Sequence, residues 1–186
     1  MTIEPAAFRE ALSQYPTGVV VLAISDGSGV QGMTIGSFTS LSLSPPLVLL
    51  CVGKQARMAS LLTPGRRCSV NVLRADQQAL STYFAGSWKE ASPPPHRFVE
   101  WGEVHRLEGA ALVLGGKIDA TFEGGDHLVV TIAVADRNLG LPPRDPLLFF
   151  DRRYCQVDPA RGAEAPDLER AGGSAPAQLF HDAWDQ

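Results

Sequence analysis

Small hydroxyl side chains crowd residues 32–51, which read GMTIGSFTSLSLSPPLVLLC. Hydroxyls together with bare backbone N–H groups can bind a phosphate or the polar edge of a ring without using a formal charge. Gly32 and Gly36 have no side chain, so a flat ligand could approach the backbone closely at these positions. The same composition is also typical of a surface strand in an all-β protein. The stretch therefore indicates either a ligand site or an ordinary strand, and the pattern alone favours neither.

If this stretch is extended, its hydroxyls divide between two faces, because alternate residues of a strand point to the same side. Thr34 and Ser40 then share one face, whereas Ser37 and Thr39 share the other. An apolar run follows directly at residues 47–52 and predicts a strand that is buried on both faces. The hydroxyls are therefore expected beside the protein core.

His127 stands between a Gly-Gly-Asp turn and the apolar run LVVTIAVA. We expect this histidine at the end of a strand, on the rim of a sheet. An imidazole there can orient a substrate or move a proton near neutral pH. The ordinary alternative is a turn histidine that is hydrogen-bonded to Asp126.

The remaining patterns argue against several kinds of chemistry. Residues 27–32 fit G-x-G-x-x-G after a predicted strand, but the next residues are strand-like and offer no helix N-terminus for a pyrophosphate. We therefore interpret these glycines as turn residues. The sequence has no G-x-S-x-G, H-E-x-x-H or P-loop motif. Cys51, Cys68 and Cys155 are widely spaced beside apolar runs, which favours buried thiols over disulfides or metal ligands.

The composition is that of one globular domain in 186 residues, of which 45% are hydrophobic. The net charge is -4 at pH 7 and no basic cluster stands out, so neither nucleic acid nor an anionic membrane is an expected partner. The longest apolar runs have the length of strands and are too short to span a bilayer. The first residues lack the basic start and apolar run of a signal peptide, and we expect a cytoplasmic protein.

Apolar, β-branched runs bounded by turn residues predict seven or eight strands. The runs are residues 19–24, 31–38, 47–52, 68–73, 110–122, 127–135, 147–150 and 154–157. Because turns rather than regular helices connect them, we predict a mainly β fold built on an antiparallel barrel. The last two runs are expected to complete the same sheet.

Few helices are predicted, together with one polar loop and a tail. Apolar residues spaced i, i+4 predict a first helix that ends before Pro16, and residues 55–62 predict a short helix. Asp76 is a suitable N-cap for a further helix. The inward residues of that helix would be Ala79, Leu80, Tyr83 and Phe84. Residues 87–106 predict a polar loop, and we divide the chain into a domain at 1–157 and a flexible tail at 158–186.

Five pieces of the sequence, in this order, resemble the short-chain flavin reductases. These are FMN-binding split-barrel proteins that serve as reductase components of two-component flavin monooxygenases. The pieces are FREALSQYPTGVVVL (8–22), GMTIGSFTSLSLSPPLVLLC (32–51), CSVNVLRADQQALSTYFA (68–85), GGDH (124–127) and LLFFDRRY (147–154). The resemblance implies a split β-barrel with a few short helices, and it assigns the hydroxyl-rich stretch to the lining of a flavin site.

The resemblance also implies which residues bind each cofactor. The flavin-binding residues would be Met33, Thr34, Gly36, Ser37, Phe38, Ser40, Cys51, Val52, Gly53, Lys54, Arg57, Phe84 and Ala85. Among them Arg57 is the preferred partner of the flavin phosphate, because a guanidinium can bind it as a fork. The alternative for Lys54 and Arg57 is a solvated helix face. His127, Arg152 and Tyr154 would bind the nicotinamide, and His127 would be the catalytic residue.

The chain departs from the family at two places that bear on the nicotinamide site. Ile132 stands where the family's strand usually carries a glycine, and there it would narrow the pocket or repack the sheet. The loop at residues 87–106, with SPPPH and the nearby Trp88 and Trp101, lacks the family's usual appearance.

The activity implied by the resemblance is reduction of FMN or FAD by NADH or NADPH in a homodimer, without a metal. The reduced flavin would leave for a partner monooxygenase. Hydride transfer between stacked rings requires orientation, hydrogen bonds and exclusion of water rather than a protein nucleophile. Two alternatives remain open: a flavoprotein that retains FMN and acts on a small organic substrate, and a non-catalytic flavin- or haem-binding module.

Overall fold

The fold is mainly β, as the sequence predicts. The structure, a computed structural model, describes residues 2–142 and 145–158. These residues contain helices α1 (Pro5–Ser13) and α2 (Gln78–Phe84), two 3-10 helices (Arg57–Leu61 and Ala75–Gln77) and twelve strands. The strands are β1 Thr17–Gly18, β2 Val20–Ser25, β3 Val30–Ile35, β4 Thr39–Leu43, β5 Pro46–Gly53, β6 Arg67–Val72, β7 Phe98–Trp101, β8 Val104–Leu107, β9 Leu112–Gly124, β10 His127–Leu139, β11 Leu147–Phe150 and β12 Arg153–Gln156.

The described range bears on two sequence-based expectations, the flexible tail and the lack of a membrane-spanning segment. The predicted tail at 158–186 lies outside the described residues except for Asp158. Among residues 2–142 and 145–158, no helix has the length and hydropathy needed to cross a membrane.

Seven antiparallel strands form the principal sheet, in the order β3-β2-β6-β9-β10-β5-β4. Its two edge strands, β3 and β4, are consecutive in the chain and are joined by residues 36–38 alone. In a flat sheet these edges would be about 29 Å apart, because each of six steps between strands adds about 4.8 Å. The chain from Ile35 to Thr39 spans at most about 14 Å. The sheet must therefore curl until its edges approach, which makes it a barrel.

The barrel interior is a continuous apolar core. Leu22 of β2 and Leu50 of β5 are completely buried there, and each such side chain stabilises the fold by about 2 kcal/mol. Ile132 of β10 belongs to the same core, since it pairs with Val48 and Ile118 in the neighbouring strands and is 2% exposed. The sequence left open whether Ile132 narrows the nicotinamide pocket or repacks the sheet, and the structure shows it packed within the sheet.

A second sheet has three strands, in the order β1-β11-β12. It encloses a separate core in which Val21, Leu73 and Leu147 are completely buried. Backbone hydrogen bonds tie this sheet to the barrel, because the Leu147 N–H donates to the Leu73 carbonyl at 2.9 Å. The prediction that the last two strands complete the principal sheet was therefore wrong: they pair with each other and with β1.

The predicted polar loop at 87–106 was wrong in its second half, which forms the hairpin β7–β8. Trp101 of this hairpin packs on the principal sheet at Gly115, where a Cβ atom would lie 2.8 Å from its ring. This contact joins residues of distant strands, so the local sequence gave no sign of it. Burial of β5 is also less complete than predicted, since only alternate residues of the strand are fully buried.

The start of α2 differs from the prediction as well. Asp76 is not an N-cap, because it lies within a 3-10 turn and pairs with Arg74 at 3.2 Å. The Arg74 N–H instead donates to Oε1 of Gln77 at 2.9 Å. Leu80 is buried as expected, whereas Ala79 is exposed. The predicted helix at residues 55–62 is shorter and wound as a 3-10 helix.

The three cysteines are free thiols. Cys68 is buried in the barrel core, as expected, whereas Cys51 and Cys155 are partly exposed. Cys51 is partly exposed because it lies on the outer face of β5, where residues alternate with the buried ones.

Candidate functional site

A cleft opens between strand β3, the 3-10 helix after β5 and the end of helix α2. Its volume is about 790 Å³, which lies within the usual range of cofactor sites. Four of the predicted flavin-binding residues line it: Met33, Arg57, Phe84 and Ala85. The cleft combines apolar walls with two charged side chains, Arg57 and Asp26.

Gly32 allows an aromatic ring to form part of the cleft wall. A Cβ atom at this position would lie 2.6 Å from both Cδ1 and Cε1 of Phe84. The glycine therefore receives the Phe84 ring on the side where a side chain would stand. Gly32 itself lines the cleft, and the approach of a ligand to its backbone stays a prediction. Gly36 fits that expectation better, since a Cβ atom there would meet only Oγ1 of Thr17, at 3.4 Å.

Three further rings hold Phe84 in place. The ring centroids of Tyr83, His96 and Phe98 lie 5.0, 5.1 and 5.8 Å from that of Phe84, and such pairs contribute about 0.5–1.5 kcal/mol each. Nδ1 of His96 lies 2.8 Å from the carbonyl oxygen of Pro94. Because a carbonyl only accepts, Nδ1 carries the hydrogen, and Nε2 has no protein partner within the described residues.

Helix α2, which carries Phe84, is fixed through Ser81. Thr34 of β3 donates its hydroxyl hydrogen to the Ser81 carbonyl at 2.8 Å, and Tyr154 of β12 donates to Ser81 Oγ at 2.9 Å. Ser81 is buried, so a lost partner would leave a buried polar group unsatisfied. Thr34 and Tyr154 were assigned to different cofactors, but the structure brings both to one helix and occupies both hydroxyls.

Ser37 ties the segment between β3 and β4 to strand β5. Its Oγ accepts a hydrogen bond from the Cys51 N–H at 2.8 Å and lies 3.2 Å from the Cys51 carbonyl oxygen. Strand β3 ends at Ile35, so residues 31–38 are not one strand and their hydroxyls do not alternate between two faces as predicted. The break occurs because this segment crosses between the barrel edges.

The other predicted flavin-binding residues near Ser37 differ in what they can offer a ligand. Gly36 and Ser40 are exposed, whereas Phe38 packs against the barrel core. Val52 is completely buried, so its side chain is unavailable. Cys51 lies on the partly exposed face of β5.

His127 begins β10, at the strand end where the sequence predicts it. It pairs with Gly53 of β5, and a Cβ atom at Gly53 would lie 3.8 Å from Nε2 of His127. Its Nδ1 lies 2.7 Å from Oδ1 of Asp126, and the side chain is 49% exposed. The hydrogen bond from His127, helped by its charge, lowers the pKa of Asp126 below the usual value. The carboxylate thus holds the imidazole with Nε2 toward Gly53.

Lys54 and Arg57, both considered for the flavin phosphate, have different surroundings. Lys54 forms an ion pair with Glu123 of β9. Arg57 lines the cleft and makes no ion pair within the described residues. Arg57 is therefore the cation that is free to bind an anion in the cleft. Arg152 lies elsewhere, in the exposed turn between β11 and β12, with φ of 59°.

Five polar residues of the cleft were not predicted as site residues from the sequence: Asp26, Gln31, Ser60, Tyr83 and His96. Asp26 and Gln31 flank the turn between β2 and β3, so the predicted hairpin itself places them beside Met33. His96 belongs to the loop that departs from the family's pattern, and that departure was the available signal.

Comparison with known proteins gives a consistent result. The family described as flavin reductase like domain matches residues 12–158. The chain is 39% identical over 148 residues to the 4-hydroxyphenylacetate 3-monooxygenase, reductase component, of Thermus thermophilus, with 80% of this chain and 93% of that protein covered.

Solved structures agree with this similarity. The flavin reductase PheA2 in its native state superposes with a TM-score of 0.78 at 32% identity, covering 84% of this chain and 99% of that chain. The Streptomyces globisporus NADH:FAD oxidoreductase SgcE6, in complex with NAD and FAD fragments, gives a TM-score of 0.76 at 34% identity, covering 87% and 99%.

Proposed function

Since the chain belongs to the flavin reductase like domain family, we propose that it is an NADH-dependent flavin reductase that supplies reduced flavin to a partner monooxygenase. The observation that carries the proposal is the cleft, which is lined both by an aromatic ring packed on Gly32 and by the Arg57 guanidinium, for which residues 2–142 and 145–158 offer no ion-pair partner. The names of the Thermus thermophilus relative and of SgcE6 support the monooxygenase partner and the use of NADH and FAD.

The cleft residues fit a bound flavin. Phe84 offers a flat apolar surface, and the flexible thioethers of Met33 and Met58 adapt to a ring. Arg57 presents the forked donors that suit a phosphate. When both are bound, the nicotinamide supplies a hydride and the flavin accepts it, so the cofactors carry the chemistry. The chain contributes binding, orientation and exclusion of water.

We assign His127 to the nicotinamide side of the site. Reduction of a flavin by NADH consumes a proton as well as the hydride, and an imidazole can hold that proton. Asp126 fixes the ring through Nδ1, which leaves Nε2 as the atom that exchanges the proton or contacts the nicotinamide. Arg152 remains a second candidate contact for the dinucleotide.

We further propose that two copies of the domain, each a split barrel of residues 1–157, form a homodimer. Cys51, Val129 and Phe122 form a cross-strand row on the outer face of β5, β10 and β9. Phe122 is 56% exposed, and an apolar face of this kind is suited to a second copy. A cytoplasmic location is supported by the free thiols, because a reducing compartment keeps cysteines unpaired.

The alternative of a flavoprotein with retained FMN loses one of its arguments. In that alternative the strand of Ile132 and the loop at residues 87–106 shape a substrate pocket, but the Ile132 side chain packs in the barrel core. The non-catalytic flavin- or haem-binding module is excluded if the purified protein turns over NADH.

Steady-state kinetics test the proposal. NADH oxidation is measured with FMN, FAD and riboflavin, which lacks the phosphate, in the wild type and in Arg57→Ala. Charge-assisted hydrogen bonds predict that R57A raises the KM for FMN about ten-fold or more, with little effect on the KM for riboflavin. Arg9→Ala, at an exposed arginine of α1, is the matched control. Absence of NADH oxidation with every flavin would contradict the proposed function.

A further inference from the structure

The cleft extends beyond the predicted flavin-binding residues, toward Asp26 of the β2–β3 turn and His96 of the loop before β7. The proposed flavin contacts at Met33, Arg57 and Phe84 need neither residue. These two side chains and Tyr83 together present flat ring surfaces and a carboxylate. That is the chemistry that recognises a purine joined to a ribose.

We infer that this part of the cleft is a subsite for an adenylyl group, formed by His96, Tyr83 and Asp26. The inference rests on the proposed function, because the subsite extends the proposed flavin cleft. An adenylyl group is present in both FAD and NADH, and the subsite is assigned to that of FAD. The reason is continuity: Met33, Phe84 and Arg57 line the same cleft, so one extended ligand can occupy both parts.

His96 is fixed as a ring that can stack on a base. Its Nδ1 is bonded to the Pro94 carbonyl at 2.8 Å, and Tyr83 and Phe84 pack against it with centroid distances of 5.4 and 5.1 Å. The ring is therefore held in place before a ligand arrives, which reduces the entropic cost of binding.

Asp26 supplies the carboxylate. Its Oδ1 accepts hydrogen bonds from the Ser28 N–H at 2.9 Å and from the Ser28 hydroxyl at 2.7 Å. These bonds lower the pKa of Asp26 below its usual value, so the group is ionised at neutral pH. A carboxylate beside a nucleotide cleft accepts hydrogen bonds from ribose hydroxyls. It also repels the doubly charged terminal phosphate of FMN, a group that FAD lacks.

Paired cofactors that differ only in the adenylyl part test the subsite. In one arm NADH is saturating and kcat/KM is measured for FAD and for FMN. In the other arm FMN is saturating and kcat/KM is measured for NADH and for reduced nicotinamide mononucleotide. The variants are His96→Ala, His96→Phe and Asp26→Asn, and the control is His105→Ala in β8, whose side chain lies outside the cleft. Melting temperatures establish that each variant is folded.

The wild type is expected to prefer FAD over FMN. Loss of a base–aromatic stack predicts that H96A lowers the ratio of kcat/KM for FAD to that for FMN about five-fold or more. H96F keeps the ring and should lower the ratio less, whereas H105A should not change it. The ratio for NADH to its mononucleotide should stay constant. A fall in that second ratio alone would support an adenylyl subsite but assign it to NADH.

The results that would refute the adenylyl subsite differ from those that would refute the proposed reductase function. If both ratios are unchanged in folded H96A, H96F and D26N while NADH is still oxidised, the subsite is overturned and the reductase activity stands. If no flavin supports NADH oxidation, the subsite is tested instead by calorimetric titration, which measures the affinity of the same variants for FAD and for FMN. Equal loss of affinity for both flavins, or none for either, then overturns the subsite.

Discussion

Replacing Gly32 with alanine should displace the Phe84 ring from its place in the cleft. The new Cβ atom would lie 2.6 Å from Cδ1 and Cε1 of Phe84 and 3.3 Å from its Cγ. Favourable carbon–carbon contacts are about 3.5–4.0 Å, so the ring must retreat by roughly 1 Å. Tyr83, His96 and Phe98 surround the ring and oppose this movement.

The strain can be expressed as a loss of stability. Overpacking of this kind costs about 1–3 kcal/mol. In a chain of this length, 1 kcal/mol lowers the melting temperature by about 2–4 °C, so we expect a fall of about 2–12 °C. The displaced ring also changes the cleft surface that we assign to the flavin, and the KM for flavin should therefore rise.

Thermal unfolding and flavin titration measure these effects in G32A. Gly18→Ala is the matched control, because a Cβ atom at Gly18 meets nothing within 4 Å. In a double-mutant cycle, removal of the ring with Phe84→Ala should abolish most of the additional cost of G32A, since residues in contact are not additive. A G32A protein with the melting temperature and flavin KM of the wild type would refute the packing of Phe84 on Gly32.

Three further changes test other parts of the structure. Tyr154→Phe removes one hydrogen bond to Ser81, so it should lower the free energy of unfolding by about 1 kcal/mol. In steady-state kinetics it should raise the KM for flavin more than the KM for NADH. A larger rise in the KM for NADH would place this hydroxyl at the nicotinamide. His127→Ala should lower turnover of NADH while flavin affinity, measured by calorimetry, changes little; unchanged turnover removes His127 from the mechanism. Burial raises the pKa of Cys68 to about 12, so at pH 8 iodoacetamide should modify this thiol only after the protein unfolds. Peptide mass spectrometry detects the modification. Ready modification of Cys68 in the folded protein would contradict its burial.

Local patterns were sufficient for the hairpin that carries His127. β-branched residues on both sides of a Gly-Gly-Asp turn predict two paired strands, and the structure pairs His127 with Gly124 across that turn. The strand-end position of the histidine follows directly from the turn. The same reasoning correctly rejected the G-x-G-x-x-G motif at residues 27–32, because strand β3 begins within the motif, at Val30, and no helix starts there.

Contacts between distant parts of the chain could not be predicted in this way. The crossing at residues 36–38 is strand-like in composition, and only closure of the barrel forces strand β3 to end at Ile35. The role of Gly32 depends on Phe84 of helix α2, and the position of β7–β8 depends on Trp101 packing at Gly115. In each case the decisive partner is many residues away, so local periodicity carries no information about it.

The candidate site shows the same division. The resemblance to flavin reductases predicted Arg57, Phe84 and Ala85, and the structure brings all three into one cleft. It also assigned Lys54 to the flavin phosphate, but Lys54 is paired with Glu123, a neighbour that only the sheet register reveals. His96 was missed because its loop departs from the family's pattern, so the resemblance had no position to match.

The most direct test of reversible flavin reduction is an anaerobic titration with little protein and a large excess of both NADH and FAD. The absorbance of the nicotinamide and of the flavin is followed together, and the mixture is then passed through an ultrafilter that retains the protein. We predict that many flavin molecules are reduced for each protein chain and that the reduced flavin passes the filter. Reduction of a single equivalent of flavin that stays with the protein would contradict a diffusible product and indicate a retained cofactor.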